Sequence, residues 1–269
     1  MQLVPRRTLL AQGIGGALLA AVLLVAGLAG SAALLAAVAV VQVLLLLGFL
    51  ALVEAPAAAG IFVVALGATV AADVVVALQD GRVGGLAGVA ALSLVAGLLH
   101  QLSRKDRSRV TESLADTLVI VVLVCGAACL VATRQVAGGR GAVTVALVAA
   151  GAALLAGRVG DAVARRPALV VGTTRGWLGL VLALAAGAAA AAASGADRMT
   201  GTRAALLGLA VATIVIATDL AVDVAAGALR TSAQDTRRVA ALRPVGLLLP
   251  VAALGPVTWV AARLVLGAP

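Results

Sequence analysis

The chain has 269 residues, of which 63% are hydrophobic and 12% are charged, and its mean hydropathy is +1.19. Soluble globular domains are nearer half apolar and a quarter charged, so this composition excludes a soluble enzyme, a disordered tail and a nucleic-acid-binding domain. The net charge of +9 comes from 20 basic and 11 acidic residues. Because most of these charges flank apolar runs, they have to be tested as topology signals before they are taken as a sign of an anionic partner.

The N-terminus carries Arg6 and Arg7 directly before an apolar run over residues 9–29. Twin arginines before such a run also occur in exported precursors. This run is long enough to cross a bilayer and further runs follow at once, so it predicts a first transmembrane helix with a cytoplasmic start.

Eight more apolar runs follow, and they are continuous rather than alternating, which favours membrane-spanning helices over barrel strands. All the runs are long enough for a hydrocarbon core of about 30 Å except the sixth, which is short. The predicted fold is therefore all-α, a polytopic helical bundle of about nine transmembrane helices that forms a single domain over residues 1–269. The eight further runs cover residues 31–53, 57–78, 83–102, 113–133, 142–157, 169–194, 203–229 and 245–266.

The basic residues provide a test of this topology. With the N-terminus inside, the inner segments hold 14 Arg and Lys residues and the outer loops hold five, while Arg263 lies in the last run. This bias fits the positive-inside rule for nine spans. It predicts a multi-pass protein of the inner (plasma) membrane, with membrane lipids, anionic headgroups in particular, as neighbours and no nucleic acid as partner.

Two acids near the inner end of the eighth run are the most informative polar residues. Asp219 and Asp223 are four residues apart, which puts both carboxylates on one helix face at about 6 Å. Such a pair repels unless it is solvated, ion-paired or bridged by a cation, and carboxylate oxygens suit a hard divalent ion such as Mg²⁺, which could in turn hold a phosphate. The alternatives are ion pairs with Arg230 or another inner arginine, or a solvated vestibule.

A segment rich in Gly and Arg lies at the same predicted membrane surface. It includes Arg158 within residues 157–161, and Arg175 and Trp177 within residues 172–179. Glycine allows close backbone approach and arginine suits bidentate contact with phosphate, so the segment could cradle a phospholipid headgroup. A loop that only sets topology needs the same arginines, and this alternative stays open.

Three further residues lie within predicted spans. Asp73 is deep in the third run, and ionisable residues at such depth are functional hypotheses by default. Cys125 and Cys129 share one helix face, but no second cysteine pair or nearby histidine completes a metal set. We therefore predict that the two cysteines serve as small packing residues.

The Gly/Arg segment and the acids together resemble the phosphatidate cytidylyltransferases, also called CDP-diacylglycerol synthases, which have about this length and number of spans. Gly157 and Arg158 match the family's Gly-Arg turn. Residues 175–179, Arg-Gly-Trp-Leu-Gly, are similar to its K-[ST]-W-E-G segment, and residues 218–220, Thr-Asp-Leu, to its Gly-Asp-Leu. Residues 230–243 occupy the region of its final Lys-Arg…Lys-Asp signature.

The resemblance implies a site that joins CTP to phosphatidic acid with a divalent metal held by acids. One family acid is missing, because the matching stretch, residues 149–153, reads Ala-Ala-Gly-Ala-Ala. Losing an acid removes electrostatic stabilisation on which phosphoryl transfer depends, so a degenerate relative that binds or acts on phospholipid headgroups at the cytoplasmic face is implied. The residues implied for the substrate are Arg158, Arg175, Trp177, Arg237 and Arg238, and those for the metal are Asp219 and Asp223.

Two other classes of function remain open. Small-residue spans without large loops are also typical of a non-catalytic assembly subunit, whose partner would be a second copy or another membrane protein. A transporter is a third hypothesis, for which Asp73 and residues 172–179 are the candidate polar positions. The headgroup hypothesis differs from both because it predicts that Arg158, Arg175, Trp177, Asp219 and Asp223 converge near the inner surface.

Overall fold

The computed structural model describes residues 6–53, 58–105, 109–164, 167–170, 173–194, 199–231 and 236–266, without the side chains of residues 229–231, 236–241 and 265–266. These residues form nine helices, and the all-α polytopic bundle predicted from the sequence is confirmed. In chain order the helices are α1 (Arg6–Ala29), α2 (Ser31–Val53), α3 (Ala58–Leu78), α4 (Gly84–Ser103), α5 (Val110–Gln135), α6 (Gly139–Val163), α7 (Trp177–Ala193), α8 (Gly201–Thr231) and α9 (Thr236–Leu266).

Eight of the nine helices in the described part of the chain are long and apolar enough to cross a membrane. The exception is α7, whose 17 residues correspond to about 25 Å at 1.5 Å per residue. Its length is therefore below the ~30 Å of a typical hydrocarbon core.

The short helix is thus the seventh, whereas the sequence predicted a short sixth span over residues 142–157. Hydropathy ends the sixth run at Arg158, but α6 continues to Val163 because Arg158 and Asp161 both find oppositely charged partners inside the protein. The predicted seventh span began at residue 169, but the chain around it is irregular. The Leu169 amide donates to the Arg175 carbonyl, so the segment folds back on itself before α7 begins at Trp177.

Each outer helix separates a lipid-facing side from a packed side. On α1, Leu10, Ile14, Leu18 and Val22 are exposed at helical spacing, whereas Leu9 is buried. Large apolar side chains that would be anomalous on a soluble protein are expected where the surrounding solvent is hydrocarbon.

The core consists of two groups of helices. In one, α5 packs against α2, α3, α4 and α9; in the other, α6 packs against α1, α7 and α8. The second group is packed very closely where α6 crosses α7, because a Cβ on Gly160 would lie 2.8 Å from the Cα of Gly179. This close crossing brings the C-terminal end of α6 against the start of α7, where the candidate site is found.

Candidate functional site

The site begins at the C-terminal end of α6, which supplies Arg158 and Asp161. Arg158 is 3% exposed and Asp161 is fully buried. The residue before Arg158, Gly157, has to be small, because a Cβ there would lie 2.7 Å from the Nη1 atom of Arg175. The Gly-Arg pair noted in the sequence therefore has a physical reason: Gly157 leaves space for a second arginine beside the first.

That second arginine is positioned by the irregular segment before α7. Ala168 and Gly176 form an antiparallel bridge, and the Trp177 amide donates to the Pro167 carbonyl at 3.3 Å. Between these anchor points, Thr174 and Arg175 point back into the helices.

Asp161 fastens this segment to α6. One carboxylate oxygen, Oδ1, accepts a hydrogen bond from the Gly176 amide at 2.9 Å, and Oδ2 accepts one from Nη1 of Arg175 at 3.0 Å. Gly176 immediately precedes the first turn of α7. The carboxylate therefore also lies at a helix N-terminus, where the macrodipole favours negative charge.

Helix α8 supplies the remaining two acids, four residues apart on the face directed at both arginines. Arg158 donates from Nη2 to Oδ1 of Asp219 at 2.5 Å, and from Nη1 to Oδ2 of Asp223 at 3.2 Å. Arg175 donates to the other oxygen of Asp219. The Thr174 hydroxyl donates to Oδ2 of Asp223 and accepts from Arg158 at 3.3 Å.

We refer to Arg158, Asp161, Arg175, Asp219 and Asp223 together as the Arg–Asp network. None of its members is more than 8% exposed. Burial lowers the pKa of Arg175 to about 10, so this guanidinium keeps its charge at neutral pH. With all five groups ionised, three carboxylates face two guanidiniums, and the network has a net charge of −1.

The structure brings together four of the residues predicted from the sequence: Arg158, Arg175, Asp219 and Asp223. Trp177 does not join them, because its side chain is 52% exposed at the first position of α7.

Arg237 and Arg238 belong to the first turn of α9, but their side chains lie outside the described residues.

Two members of the site were not predicted as site residues. Asp161 follows Arg158 by three positions, about one helical turn, and this i,i+3 spacing was the available signal. Thr174 had no such signal, because only the fold of residues 167–170 and 173–176 directs it at Asp223.

The predicted Mg²⁺ ligands, Asp219 and Asp223, are engaged with arginines. Both oxygens of Asp219 and one of Asp223 accept from guanidinium groups. The described residues contain no cluster of three or more His, Cys, Asp or Glu side chains suited to a metal ion. In this arrangement the acids suit guanidinium partners better than a resident divalent ion, and Mg²⁺ stays a prediction.

On the orientation predicted from the basic residues, the Arg–Asp network lies at the cytoplasmic end of α6, α7 and α8. Comparisons of the chain with protein families, with curated proteins and with solved structures gave no match. The chemistry of the site therefore has to be argued from its own residues.

Proposed function

We propose that this membrane protein binds a phospholipid headgroup at the cytoplasmic end of α6–α8 and does not transfer a nucleotide. The observation that carries the proposal is the convergence of Arg158, Arg175 and Thr174 on Asp219 and Asp223. Guanidinium and hydroxyl donors in such an arrangement are the groups that proteins use to hold a phosphate.

The point of entry is the Asp223 side of the network. Asp223 is its most exposed member, at 8%, and its bond to Arg158, at 3.2 Å, is longer than the 2.5 Å bond from Arg158 to Asp219. A headgroup phosphate that takes the place of Oδ2 of Asp223 would accept from both Arg158 and Thr174.

With all five groups ionised, the net charge of −1 selects among headgroups. A bare phosphate would be repelled by the excess carboxylate, whereas a phosphate accompanied by a cation leaves Asp223 paired. We therefore expect a zwitterionic headgroup, in which an ammonium group meets Asp223, or a phosphate that arrives with Mg²⁺. Trp177 lies two positions after Arg175 and is half exposed, which suits a side chain at the headgroup level.

The absence of nucleotide transfer follows from the carboxylates. Metal-assisted phosphoryl transfer needs acids that are free to hold the ion, and here Asp219 is fully committed to Arg158 and Arg175. We assign no reaction step to Mg²⁺.

Trp177 provides the test of binding. A Trp259→Phe variant leaves Trp177 as the only tryptophan, and its fluorescence is followed in micelles titrated with short-chain phosphatidylethanolamine, phosphatidylglycerol and phosphatidate, the last with and without Mg²⁺. We expect saturable fluorescence changes with phosphatidylethanolamine and with phosphatidate plus Mg²⁺. In the Thr174→Val variant the affinity for these lipids should be about tenfold lower or weaker still, because a hydrogen-bond donor to the phosphate is lost.

Thr213→Val is the matched control, because Thr213 is exposed and bonds only to a carbonyl of its own helix among the described residues. Equal affinity in the Thr174→Val and Thr213→Val variants would reject the site. Formation of CDP-diacylglycerol from CTP and phosphatidate, abolished by Asp219→Ala, would reject the non-catalytic part of the proposal.

A second candidate function, that of an assembly subunit, is favoured by one face of α4. Gly84 and Gly88 are four residues apart and exposed, and a Cβ added to either would meet nothing within 4 Å. Small residues at this spacing allow the close approach of another transmembrane helix. We expect Gly88→Leu to abolish crosslinking to a second copy or another membrane protein in mild detergent if this face is an interface. An unchanged crosslinking pattern would contradict this role.

A further inference from the structure

A second polar cluster lies in the other group of helices and shares no residue with the Arg–Asp network. It joins Gln42 of α2, Asp73 of α3 and the backbone of α5. Nε2 of Gln42 donates to Oδ1 of Asp73 at 3.2 Å and to the Val124 carbonyl at 2.9 Å. Gln42 is fully buried and Asp73 is partly buried.

When Asp73 is ionised, the cluster has more hydrogen-bond acceptors than donors. Both protons of the Gln42 amide are donated, while Oε1 of the same amide is buried and has no hydrogen-bond partner among the described residues. An amide places its oxygen within about 2.6 Å of its nitrogen, the sum of the two bond lengths. Oε1 therefore lies within roughly 6 Å of Asp73, inside the same cluster.

One additional proton, on Asp73, supplies the missing hydrogen-bond donor. If Asp73 is a carboxylic acid, a rotation of the Gln42 amide lets Oε1 accept from the acid hydroxyl while Nε2 keeps its bond to Val124. Every polar group in the cluster then has a partner, and no uncompensated charge stands in the membrane.

The surroundings contain no described cation that could stabilise the ionised form. None of the ion pairs among the described residues includes Asp73. Of the helices that pack against α3, α2 has no ionisable residue between positions 31 and 53, and the only ionisable residue of α4 is His100. His100 lies against Gly60, 13 residues from Asp73 and so about 20 Å away along α3.

The third neighbour, α5, presents a thiol. Cys125 is close enough to Asp73 to interact with it electrostatically, and Cys129 follows one turn later. Glu112 and Asp116 are near the inner end of α5, and Arg134 is near its outer end, where it donates to the Gly27 carbonyl. Beyond the end of α3, Asp80 and Arg82 lie in the turn to α4.

We infer that Asp73 is a membrane-embedded proton-binding site, in which the carboxylic acid form is held by the amide of Gln42. Leu78, the last residue of α3, is five positions away, or about 7.5 Å along the helix. Protons would exchange with the side of the membrane at which α3 ends, the outer side on the predicted orientation. This site is independent of the headgroup proposal.

Infrared difference spectroscopy of the full-length protein in liposomes at pH 7 tests the inference. We expect subtraction of an Asp73→Asn spectrum from the wild-type spectrum to leave a carboxylic acid C=O band. Asp80→Asn is the matched control and should instead leave a carboxylate band, because Asp80 is exposed in the turn after α3. The substitution should not disturb the turn, since asparagine tolerates the φ of 47° at this position. A carboxylate band for Asp73 would overturn the inference.

Three further measurements separate a proton site from a purely structural amide and from a metal-cation site. Gln42→Leu should shift the acid band, because the hydroxyl loses its acceptor, whereas a merely structural role for Gln42 would leave the band in place. Replacement of choline by Na⁺ at constant pH should leave the band unchanged, and its conversion to carboxylate would assign the site to a metal cation and overturn the inference. If Asp73→Asn does not fold, Asp73→Glu serves instead, and the acid band should move to the position of a glutamic acid.

Discussion

Arg175 and Asp219 form an ion pair that joins the irregular segment before α7 to the C-terminal half of α8, across 44 positions of sequence. Because Asp219 also accepts from Arg158, this one carboxylate connects α6, the segment and α8. Three elements therefore share a single buried acid, and the stability of this region should depend on it.

We expect Asp219→Asn to lower the free energy of unfolding by about 1.5–3 kcal/mol, because the single amide oxygen can accept from only one of the two guanidiniums and the other loses a charge-assisted hydrogen bond. Arg158 keeps its ion pair with Asp223, and Arg175 keeps its ion pair with Asp161. Unfolding of the purified protein in mixed micelles with a denaturing detergent measures the change. Glu112→Gln is the control, since its ion pair with Arg109 is exposed and should contribute less than about 1 kcal/mol. Similar losses of unfolding free energy in the two variants would mean that the network stabilises the protein no more than an exposed ion pair does.

Arg158 should not be replaceable by lysine. It donates from two nitrogens to two carboxylates, whereas an ammonium group offers a single point of charge. We expect Arg158→Lys to lower the free energy of unfolding by about 1.5–3 kcal/mol, the range for one charge-assisted hydrogen bond. Arg134→Lys should lower the free energy of unfolding by less, because Arg134 donates to the Gly27 carbonyl through one nitrogen, Nε. The reverse order of the two variants would contradict the two-nitrogen geometry of Arg158.

The close crossing of α6 and α7 should be sensitive to a single methyl group. In Gly160→Ala the new Cβ would lie 2.8 Å from Cα and 3.0 Å from N of Gly179, and these backbone atoms cannot rotate away. We expect a loss of about 1–3 kcal/mol, as for other overpacked sites. In contrast, Gly67→Ala meets nothing within 4 Å and should stabilise α3 by about 0.5–1 kcal/mol through helix propensity. A stabilised Gly160→Ala variant would show that the two helices are further apart.

Whether α7 crosses the membrane can be tested with single cysteines on either side of α5, α6 and α7. The native Cys125 and Cys129 are buried, so background labelling should be low. If all three helices cross, Ser103→Cys and Thr200→Cys lie on opposite sides. An impermeant maleimide should then label Thr200→Cys in intact cells and Ser103→Cys only after permeabilisation. Labelling of both from the same side would mean that α7 does not cross.

The helices could be predicted well from the sequence, because a lipid environment demands long apolar runs and the runs are separated by charged or glycine-containing turns. The boundaries that differed most were those at Arg158, at residue 169 and at the start of α9, which begins at Thr236 rather than at residue 245. Hydropathy treats Arg158 as an end to the span, but its charge is matched by Asp219 and Asp223, which follow 61 and 65 positions later. A pattern within one run contains no information about a partner in another.

The candidate site could be predicted only in part, because its contacts also join separate runs. The four-residue spacing of Asp219 and Asp223 indicated a shared face, and an inner arginine was one of the alternatives considered for their partner. The choice of Arg158 and Arg175 depends on how α6, α7 and α8 pack. The role of Thr174 depends on the pairing of residues 167–169 with residues 175–177, which leaves no periodic signal in the sequence.

The separation of Arg158 from its acids also bears on how the protein is made. Asp219 is 61 residues downstream, which corresponds to roughly 3–12 s of synthesis at about 5–20 residues per second. For that interval α6 contains an arginine whose partners do not yet exist, and an unpaired charge is expensive in hydrocarbon. Insertion of α6 should therefore remain shallow, with Arg158 held at the headgroups, until α8 leaves the ribosome and the two helices enter the bilayer together.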